Sequence, residues 1–221
     1  MFMSNECCNT VLSSEIDFPP IIVGDQLALD FINTIAAPKG EPIEWIGKGA
    51  DFLDWLIVVE VISPSERDLL EGKWSLNQID EVAREAREIR EWFRDIVIRI
   101  KDQGRGALML SDIEKLNDLL SLEKIERFIE PGQNGEEIEL GARRLWTEPR
   151  ELLVPIVSAM AELLAEGNLE LTRECKNEPC TLWFYDRTKG HRRMWCSPSM
   201  CGNRAKVAAY RERQKSGQTD R

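Results

Sequence analysis

The sequence contains little of the chemistry on which most enzymes depend. Its 221 residues include a single histidine, His191, and the chain before it has no glycine-rich phosphate loop and no nucleophile placed beside a base. Histidine is the side chain most often used for proton transfer near neutral pH. The sequence therefore favours a protein that is not an enzyme.

Long apolar segments are also missing. No apolar run approaches the ~18 residues that a membrane-spanning helix needs, because the two most apolar segments are interrupted by Glu60 and by Pro155 and Glu162. Residues 1–20 have neither the basic start nor the sustained apolar run of a signal peptide. We therefore expect a cytoplasmic protein without a membrane partner, in which residues 1–22 form a flexible leader.

Positive charge is scarce outside one part of the chain. The net charge is −10, but residues 173–221 carry 12 Lys/Arg against 5 Asp/Glu, a net charge of +7. Residues 1–172 therefore carry −17. Such a division is typical of a polyanion-binding module attached to a different kind of domain. The alternative is that the basic segment folds back onto the acidic one.

Residues 23–168 are expected to form a mainly helical domain. Its clearest element is a helix over residues 77–104, which has one apolar face, a charged opposite face and a glycine at its end. The apolar face consists of Ile79, Val82, Ala86, Ile89, Phe93, Ile96 and Ile100.

Capping signals and turn residues place further elements of this domain. Ser63 and Glu66 form a predicted capping box at the start of one helix, and Ser111 and Glu114 form another. Partial alternation on both sides of the sequence PGQNG predicts a β-hairpin at about 124–145. Further helices are predicted within residues 24–35, 44–62 and 148–167.

Asp30 and Asn33 are candidates for contact with a small-molecule or protein ligand. They stand three positions apart, so a helix would place them on one side, away from its apolar side. Short polar side chains also bond to neighbouring backbone groups. This structural role is the interpretation that we favour.

Four cysteines in the basic segment have the spacing of a metal site. Cys175, Cys180, Cys196 and Cys201 make the pattern C-x4-C-x15-C-x4-C, in which an arm long enough for a hairpin separates two close pairs. Four thiolates on two turns suit a tetrahedral Zn²⁺ with no position left for water, so the predicted role of the metal is structural. The alternatives are two disulfides, which a reducing compartment disfavours, or four unrelated thiols.

His191 and four aromatic residues lie between the two cysteine pairs. Because four cysteines complete a tetrahedron, we expect His191 to belong to the basic loop rather than to the metal site. The aromatic side chains could stack on nucleic-acid bases or pack around the metal, and we favour packing. These aromatic residues are Trp183, Phe184, Tyr185 and Trp195.

A basic helix is predicted directly after the last cysteine. Gly202 would permit a sharp turn away from the metal site, and Asn203 would be the N-cap of the helix. Cations then fall on both flanks of the helix, an arrangement suited to phosphate contact. The alternative is a helix that is basic only for solubility. Together with two arginines of the preceding loop, the predicted nucleic-acid contacts are Arg192, Arg193, Arg204, Lys206, Arg211 and Arg213.

Residues 175–213 resemble the CGNR zinc finger, which takes its name from the tetrad at positions 201–204. The cysteine spacing, the aromatic strand that ends in Asp186 and the sequence RRMWCS before the second pair all fit that pattern. The upstream sequences LALDFINT, EWIGKGADFLDWL and AREIREWFRDI are similar to the ABATE domain. The resemblance implies a bacterial, stress-induced transcription regulator with a zinc-ribbon-like module that binds nucleic acid.

The sequence thus predicts a mainly α (α+β) protein in two parts. Residues 23–168 form a helical domain with a β-hairpin, and residues 173–216 form a four-cysteine zinc module with a basic helix. The favoured function is a zinc-binding transcription regulator that contacts nucleic acid, DNA in preference to RNA, with a homodimer as a candidate assembly. The alternative is a protein-interaction or ligand-sensing protein in which the zinc unit is purely structural.

Overall fold

The computed structural model describes residues 18–38, 40–132 and 137–216. Most of the predicted leader, residues 1–17, lies outside this part of the chain. The described helices are α1 Leu27–Ile32, α2 Gly49–Val58, α3 Pro64–Lys73, α4 Leu76–Gln103, α5 Leu110–Leu120, α6 Val154–Ala165 and α7 Asn203–Ser216. The strands pair as three antiparallel hairpins: β1 Ile35–Ala36 with β2 Ile43–Glu44, β3 Ile125–Pro131 with β4 Ile138–Arg144, and β5 Thr172–Glu174 with β6 Trp183–Tyr185. The mainly helical fold class is therefore confirmed.

Helix α4 is the element around which the helical domain packs. All seven predicted residues of its apolar stripe are buried, and they share one hydrophobic core with residues of α1, α2 and α6. Aromatic rings from two neighbouring helices add to this core, since Phe31 and Trp55 lie 5.6 Å apart between ring centroids. Apolar burial is the main driving force for such an arrangement, and the 3.6-residue period had already identified its central helix.

One predicted capping box is confirmed and the other is wrong. The Ser63 hydroxyl accepts the amide N–H of Glu66, whose carboxylate accepts the N–H of Ser63 in return. Helix α5, however, begins at Leu110, and Asp112 rather than Glu114 accepts the N–H that precedes the helix. Trp92 and Arg99 on α4 also bind the Asp112 carboxylate, and these tertiary contacts fix where α5 begins.

Helix α1 is shorter than the sequence pattern predicts. It ends at Ile32, and Ile35, which the helical spacing included, lies in strand β1. The Thr34 hydroxyl donates to the carbonyl of Phe31 and the Thr34 carbonyl accepts the N–H of Trp45. Pairing with β2 therefore replaces the next helical turn, and the helical domain has a hairpin that the sequence analysis missed.

The longer hairpin lies where it was predicted. Strands β3 and β4 pair in register from Ile125 opposite Arg144 to Pro131 opposite Ile138. Most of the predicted turn, residues 133–136, lies outside the described residues. At the other end of the hairpin, the N–H of Leu145 donates to the carbonyl of Lys124 and closes the base.

We predict opposite effects for alanine at two helical glycines. Gly49 opens α2 where it meets the start of α4, and a Cβ there would lie 2.7 Å from the carbonyl carbon of Ile79 and 2.8 Å from the amide nitrogen of Asp80. Backbone atoms cannot move away from the added Cβ as a flexible side chain can. Gly49→Ala should therefore lower the free energy of unfolding by roughly 1–3 kcal/mol. Urea denaturation measures the change.

Gly72 in α3 is the matched control. A Cβ at Gly72 would meet nothing within 4 Å, so Gly72→Ala should raise the free energy of unfolding by up to about 1 kcal/mol through the higher helix propensity of alanine. Equal effects of the two substitutions would contradict the close approach of α2 and α4.

Candidate metal centre and basic helix

The four cysteines of the C-terminal module converge on one buried point. Cys175 follows β5 and Cys180 precedes β6, while Cys196 precedes a short helical turn, Pro198–Gly202, that contains Cys201. All four side chains are buried, and their Sγ atoms lie within 4.8 Å of one another. The Sγ–Sγ distances of 3.9 Å between Cys180 and Cys196 and 3.5 Å between Cys196 and Cys201 are far longer than the ~2.05 Å of a disulfide bond.

The geometry fits a tetrahedral cation. A metal–sulfur bond of about 2.3 Å in a tetrahedron places the sulfur atoms about 3.8 Å apart, which is close to the observed separations. Backbone N–H groups of Asn177 and Leu182 hydrogen bond to the sulfur atoms of Cys175 and Cys180, and the side-chain amide of Asn177 lies 3.5 Å from the sulfur of Cys201. Donors aimed at sulfur stabilise thiolates, the form that binds a metal.

The sulfur atoms compete for negative charge. Hydrogen bonds from the thiols of Cys180 and Cys196 stabilise a thiolate at Cys175 and lower its pKa to about 2. The same contact with Cys175 raises the pKa of Cys180 to about 12, and it also raises the pKa of Cys196. A set of four thiolates can therefore form only around a cation that neutralises them.

The metal centre shares its hydrophobic core with the N-terminal part of the chain. Leu182 and Phe184 of the module pack with the cysteines against Ala36 and Trp45, which belong to the β1–β2 region. Phe18, Ile21 and Val23 add partly buried side chains to the same core. The predicted boundary at residue 173 therefore marks the start of the cysteine-containing segment. The hydrophobic core of the module also includes side chains from residues 18–45.

Asn33 joins the module to the helical domain. Its side-chain amide donates to the carbonyl of Trp183 at 2.8 Å, and its side-chain oxygen accepts the N–H of Trp183 at 2.7 Å. The residue is 2% exposed, so both hydrogen bonds are shielded from water. Asn33, which the sequence offered as a ligand candidate, thus has the structural role that we favoured.

Asp30 also binds backbone groups. One carboxylate oxygen accepts the N–H groups of Val23 and Gly24, at 2.9 Å and 2.7 Å. Burial raises the pKa of Asp30 to about 6, although these hydrogen bonds oppose the shift. Asp30 lines an open cleft whose other walls include Leu27, Val58 and Arg187, whereas Asn33 faces Trp183. The two residues therefore do not converge on one ligand site.

Arg193 is committed to contacts inside the chain. Its guanidinium lies 4.3 Å from the ring centroid of Phe184, pairs with the carboxylate of Asp25 and donates to the carbonyls of Val23 and Cys196. These groups span both the metal module and the segment before α1. The predicted nucleic-acid contact at this position is therefore occupied by intramolecular partners in the structure.

Arg204 is likewise turned towards the helical domain. Its guanidinium donates to the carbonyl of Pro38 and, at 3.4 Å, to the carbonyl of Met200. The four remaining candidates keep their charges at the surface. Those residues are Arg192, Lys206, Arg211 and Arg213.

Helix α7 follows the metal centre without the sharp change of backbone direction that the sequence predicted at Gly202. Ser197 caps the preceding helical turn by accepting the N–H of Met200, and Asn203 has helical φ and ψ angles of −66° and −40°. Asn203 is therefore not an N-cap, and Gly202 does not use a positive φ. Because the turn continues directly into α7, the metal centre sets the direction of the basic helix.

The aromatic residues between the cysteine pairs pack, as we favoured. Trp183 belongs to the core of the helical domain and Phe184 to the core around the cysteines. Asp186, the acidic residue that follows this strand, is 0% exposed, and its spacing predicted no role for it. Burial opposes its ionisation, but hydrogen bonds from Thr188 and from the N–H of Arg193 keep the pKa of Asp186 below its ordinary value. A buried aspartate organises the basic loop, and only its place after an aromatic strand hinted at this.

Family comparisons match both parts of the chain. The CGNR zinc finger model matches residues 172–214. The ABATE model, described as "Putative stress-induced transcription regulator", matches residues 25–167. A search of the curated proteins finds no match. Across the described ranges, no helix combines the length and the apolar composition needed to cross a membrane.

We predict that the Asn33 amide is needed to hold the module in place. Asn33→Ala would leave the N–H and the carbonyl of Trp183 buried without partners, so the free energy of unfolding should fall by roughly 2–4 kcal/mol. Chemical denaturation measures the loss. The exposed Asn117 on α5 gives a matched control, since Asn117→Ala should stay within about 0.5 kcal/mol of wild type. Similar losses from the two variants would argue against the Asn33 contact.

Proposed function

Since the chain belongs to the ABATE family and carries a CGNR zinc finger, we propose that it is a stress-response transcription regulator that binds nucleic acid through the surface of α7. DNA is the favoured polymer. In this proposal the helical domain is a scaffold that holds the metal module in a fixed position. It has no catalytic activity. The cytoplasm is the proposed compartment, because its reducing conditions preserve thiolate ligands.

The observation that carries this proposal is the exposed charge of α7. Lys206, Arg211 and Arg213 are all exposed on this helix, whose sequence from Asn203 to Ser216 contains one acidic residue, Glu212. Exposed cations on a helix contact phosphates without a large desolvation cost. Arg192, on the loop before the second cysteine pair, adds a fourth exposed cation from the same module.

The negative charge of the helical domain supports binding of nucleic acid through the module. Residues 1–172 carry a net charge of −17, so a polyanion is repelled by most of the molecule and attracted to the module. Charge arranged in this way fixes how partners approach and suppresses indiscriminate contacts. The four exposed candidate residues make few phosphate contacts, and we therefore expect weak binding by one chain at physiological salt.

The proposed metal is zinc, held by Cys175, Cys180, Cys196 and Cys201. Four thiolates around a zinc ion leave no coordination position for water or substrate, so the metal supplies rigidity to the module and no hydrolytic chemistry. This rigidity fixes the position of α7, because the helical turn directly before α7 contains Cys201. Loss of the metal should therefore remove nucleic-acid binding as well as stability.

We predict about one zinc ion per chain in the purified protein, as measured by inductively coupled plasma mass spectrometry. Cys196→Ser should lower this ratio markedly and destabilise the protein, because a hydroxyl is a poor replacement for a thiolate ligand. Cys8→Ser, which lies outside the four-cysteine pattern, should keep the zinc. Full zinc content in the Cys196→Ser variant would refute the proposed ligand set.

We also predict that binding depends on salt through α7. The triple variant Lys206→Ala/Arg211→Ala/Arg213→Ala should bind duplex DNA more weakly, and the slope of log affinity against log salt should become shallower by about 2.7, or about 0.9 for each lost phosphate contact. Fluorescence polarisation between roughly 50 and 200 mM salt measures both changes.

A control removes the same charge from the helical domain. Lys48, Arg84 and Lys115 are exposed there, and their triple alanine variant should keep the wild-type slope. Equal slopes for wild type and the α7 variant, with zinc retained, would contradict the proposal. Failure of the zinc-loaded protein to bind either duplex DNA or single-stranded RNA would instead favour the protein-interaction or ligand-sensing alternative.

A further inference from the structure

Helix α7 projects from the metal module and is exposed on all sides beyond its first turn. Every residue from Lys206 to Gln214 is exposed, and at about 1.5 Å per residue this part of the helix is roughly 13 Å long. Most helices in proteins are stabilised by the packing of one apolar face, but neither hydrophobic core of the described residues includes a side chain of α7. The helix can therefore enter a groove that surrounds it.

The cations of α7 form two rows on opposite flanks of the helix. Residues seven positions apart lie on nearly the same side, because seven residues almost complete two turns. Lys206 and Arg213 therefore form one row. Arg204 and Arg211 form the other, although Arg204 itself donates to the carbonyl of Pro38. At about 100° per residue, the two rows stand roughly 160° apart around the helix.

An uncharged face lies between the two rows of cations. This front face carries Val207, Tyr210 and Gln214, which are spaced three and four positions apart and therefore share one side of the helix. Val207 is 49% exposed and Tyr210 is 58% exposed. The back of the helix holds small side chains and the one acidic residue of α7. Its members are Ala205, Ala208, Ala209 and Glu212.

The major groove of duplex DNA has the shape and the charge that suit this arrangement. It is about 12 Å wide and accepts an α-helix, whereas the minor groove is about 6 Å wide and does not. Phosphates line both walls, so a helix inside the groove is best held by cations on both flanks. The major groove of duplex RNA is too deep and narrow for side chains to read. The charge pattern of α7 therefore favours duplex DNA.

We propose that α7 lies in the major groove of duplex DNA, where its front face reads base edges and its two cation rows contact phosphates on either wall. This inference rests on the proposed binding of nucleic acid by α7 and specifies its ligand. The Gln214 amide suits adenine, which offers the acceptor N7 and a donor at N6, and Val207 suits the methyl group of thymine. About 10 Å along the helix separates these two residues, which is the rise of about three base pairs. The expected site is therefore a core of about four base pairs that contains A·T pairs.

Selection from a random pool of duplex DNA by the full, zinc-loaded chain at about 50 mM salt tests the reading face. The wild type should enrich a short core that contains A·T pairs. Val207→Ala/Gln214→Ala loses no charge and keeps good helix formers, so it should bind the unselected pool within about two-fold of wild type but enrich no core. The matched control is Ala208→Gln, which adds an amide to the back of the same helix and should enrich the wild-type core.

Modified bases in the enriched duplex identify the groove. The base 7-deazaadenine lacks the major-groove acceptor N7, and 3-deazaadenine lacks the minor-groove acceptor N3. In fluorescence polarisation, 7-deazaadenine should weaken wild-type binding at least about five-fold, whereas 3-deazaadenine should change it less than about two-fold. Gln214→Ala should bind the normal and the 7-deazaadenine duplex equally, because it lacks the amide that donates to N7.

Several results would overturn this inference and leave the proposed function standing. A wild type that enriches no core, or a core that is unchanged in Val207→Ala/Gln214→Ala, would contradict reading by the front face. Sensitivity to 3-deazaadenine but not to 7-deazaadenine would place the contacts in the minor groove. Tighter binding of single-stranded RNA than of duplex DNA would also exclude the groove. Failure of the zinc-loaded chain to bind either polymer would instead overturn both the inference and the proposed function.

Discussion

The position of the metal centre depends on two hydrogen bonds between the Asn33 side chain and the backbone of Trp183. Successive side chains of a strand point to opposite sides, so β6 sends Trp183 into the core of the helical domain and Phe184 into the core around the cysteines. By holding the strand between them, Asn33 fixes both cores relative to each other. The contacts of Arg193 with Val23 and of Arg204 with Pro38 join the same two parts of the chain.

Features that depend on residues close together in the chain could be predicted from the sequence. The buried stripe of α4, the Ser63 capping box and the spacing of the four cysteines each depend on residues close in the chain. The end of α1 could not be predicted in this way, because the strand pairing that stops it comes from Glu44 and Trp45. The partner of Asn33 lies 150 residues away, and no periodicity reports such a contact.

The arginines of the module show why charge counts alone could not separate surface contacts from internal ones. The sequence left open whether the basic segment folds back onto the acidic domain. In the structure Arg187, Arg193 and Arg204 do reach that domain, and each donates to a backbone carbonyl there. Arginine offers five donors in a planar fork, so it can satisfy carbonyls as well as carboxylates or phosphates. Lys206 and Arg211, further along α7, are exposed.

The contribution of residues 18–45 to the metal module has a consequence for the order of events on the ribosome. Domains fold as they are synthesised, with the N-terminal parts first. Ala36 and Trp45 are made about 130 residues before Cys175, yet they cover the same core as the cysteines. A nascent chain that has completed α1 to α6 still lacks the segment that covers Ala36 and Trp45. The cysteine segment covers these side chains, so the β1–β2 hairpin gains its full hydrophobic core only after the four cysteines have been made.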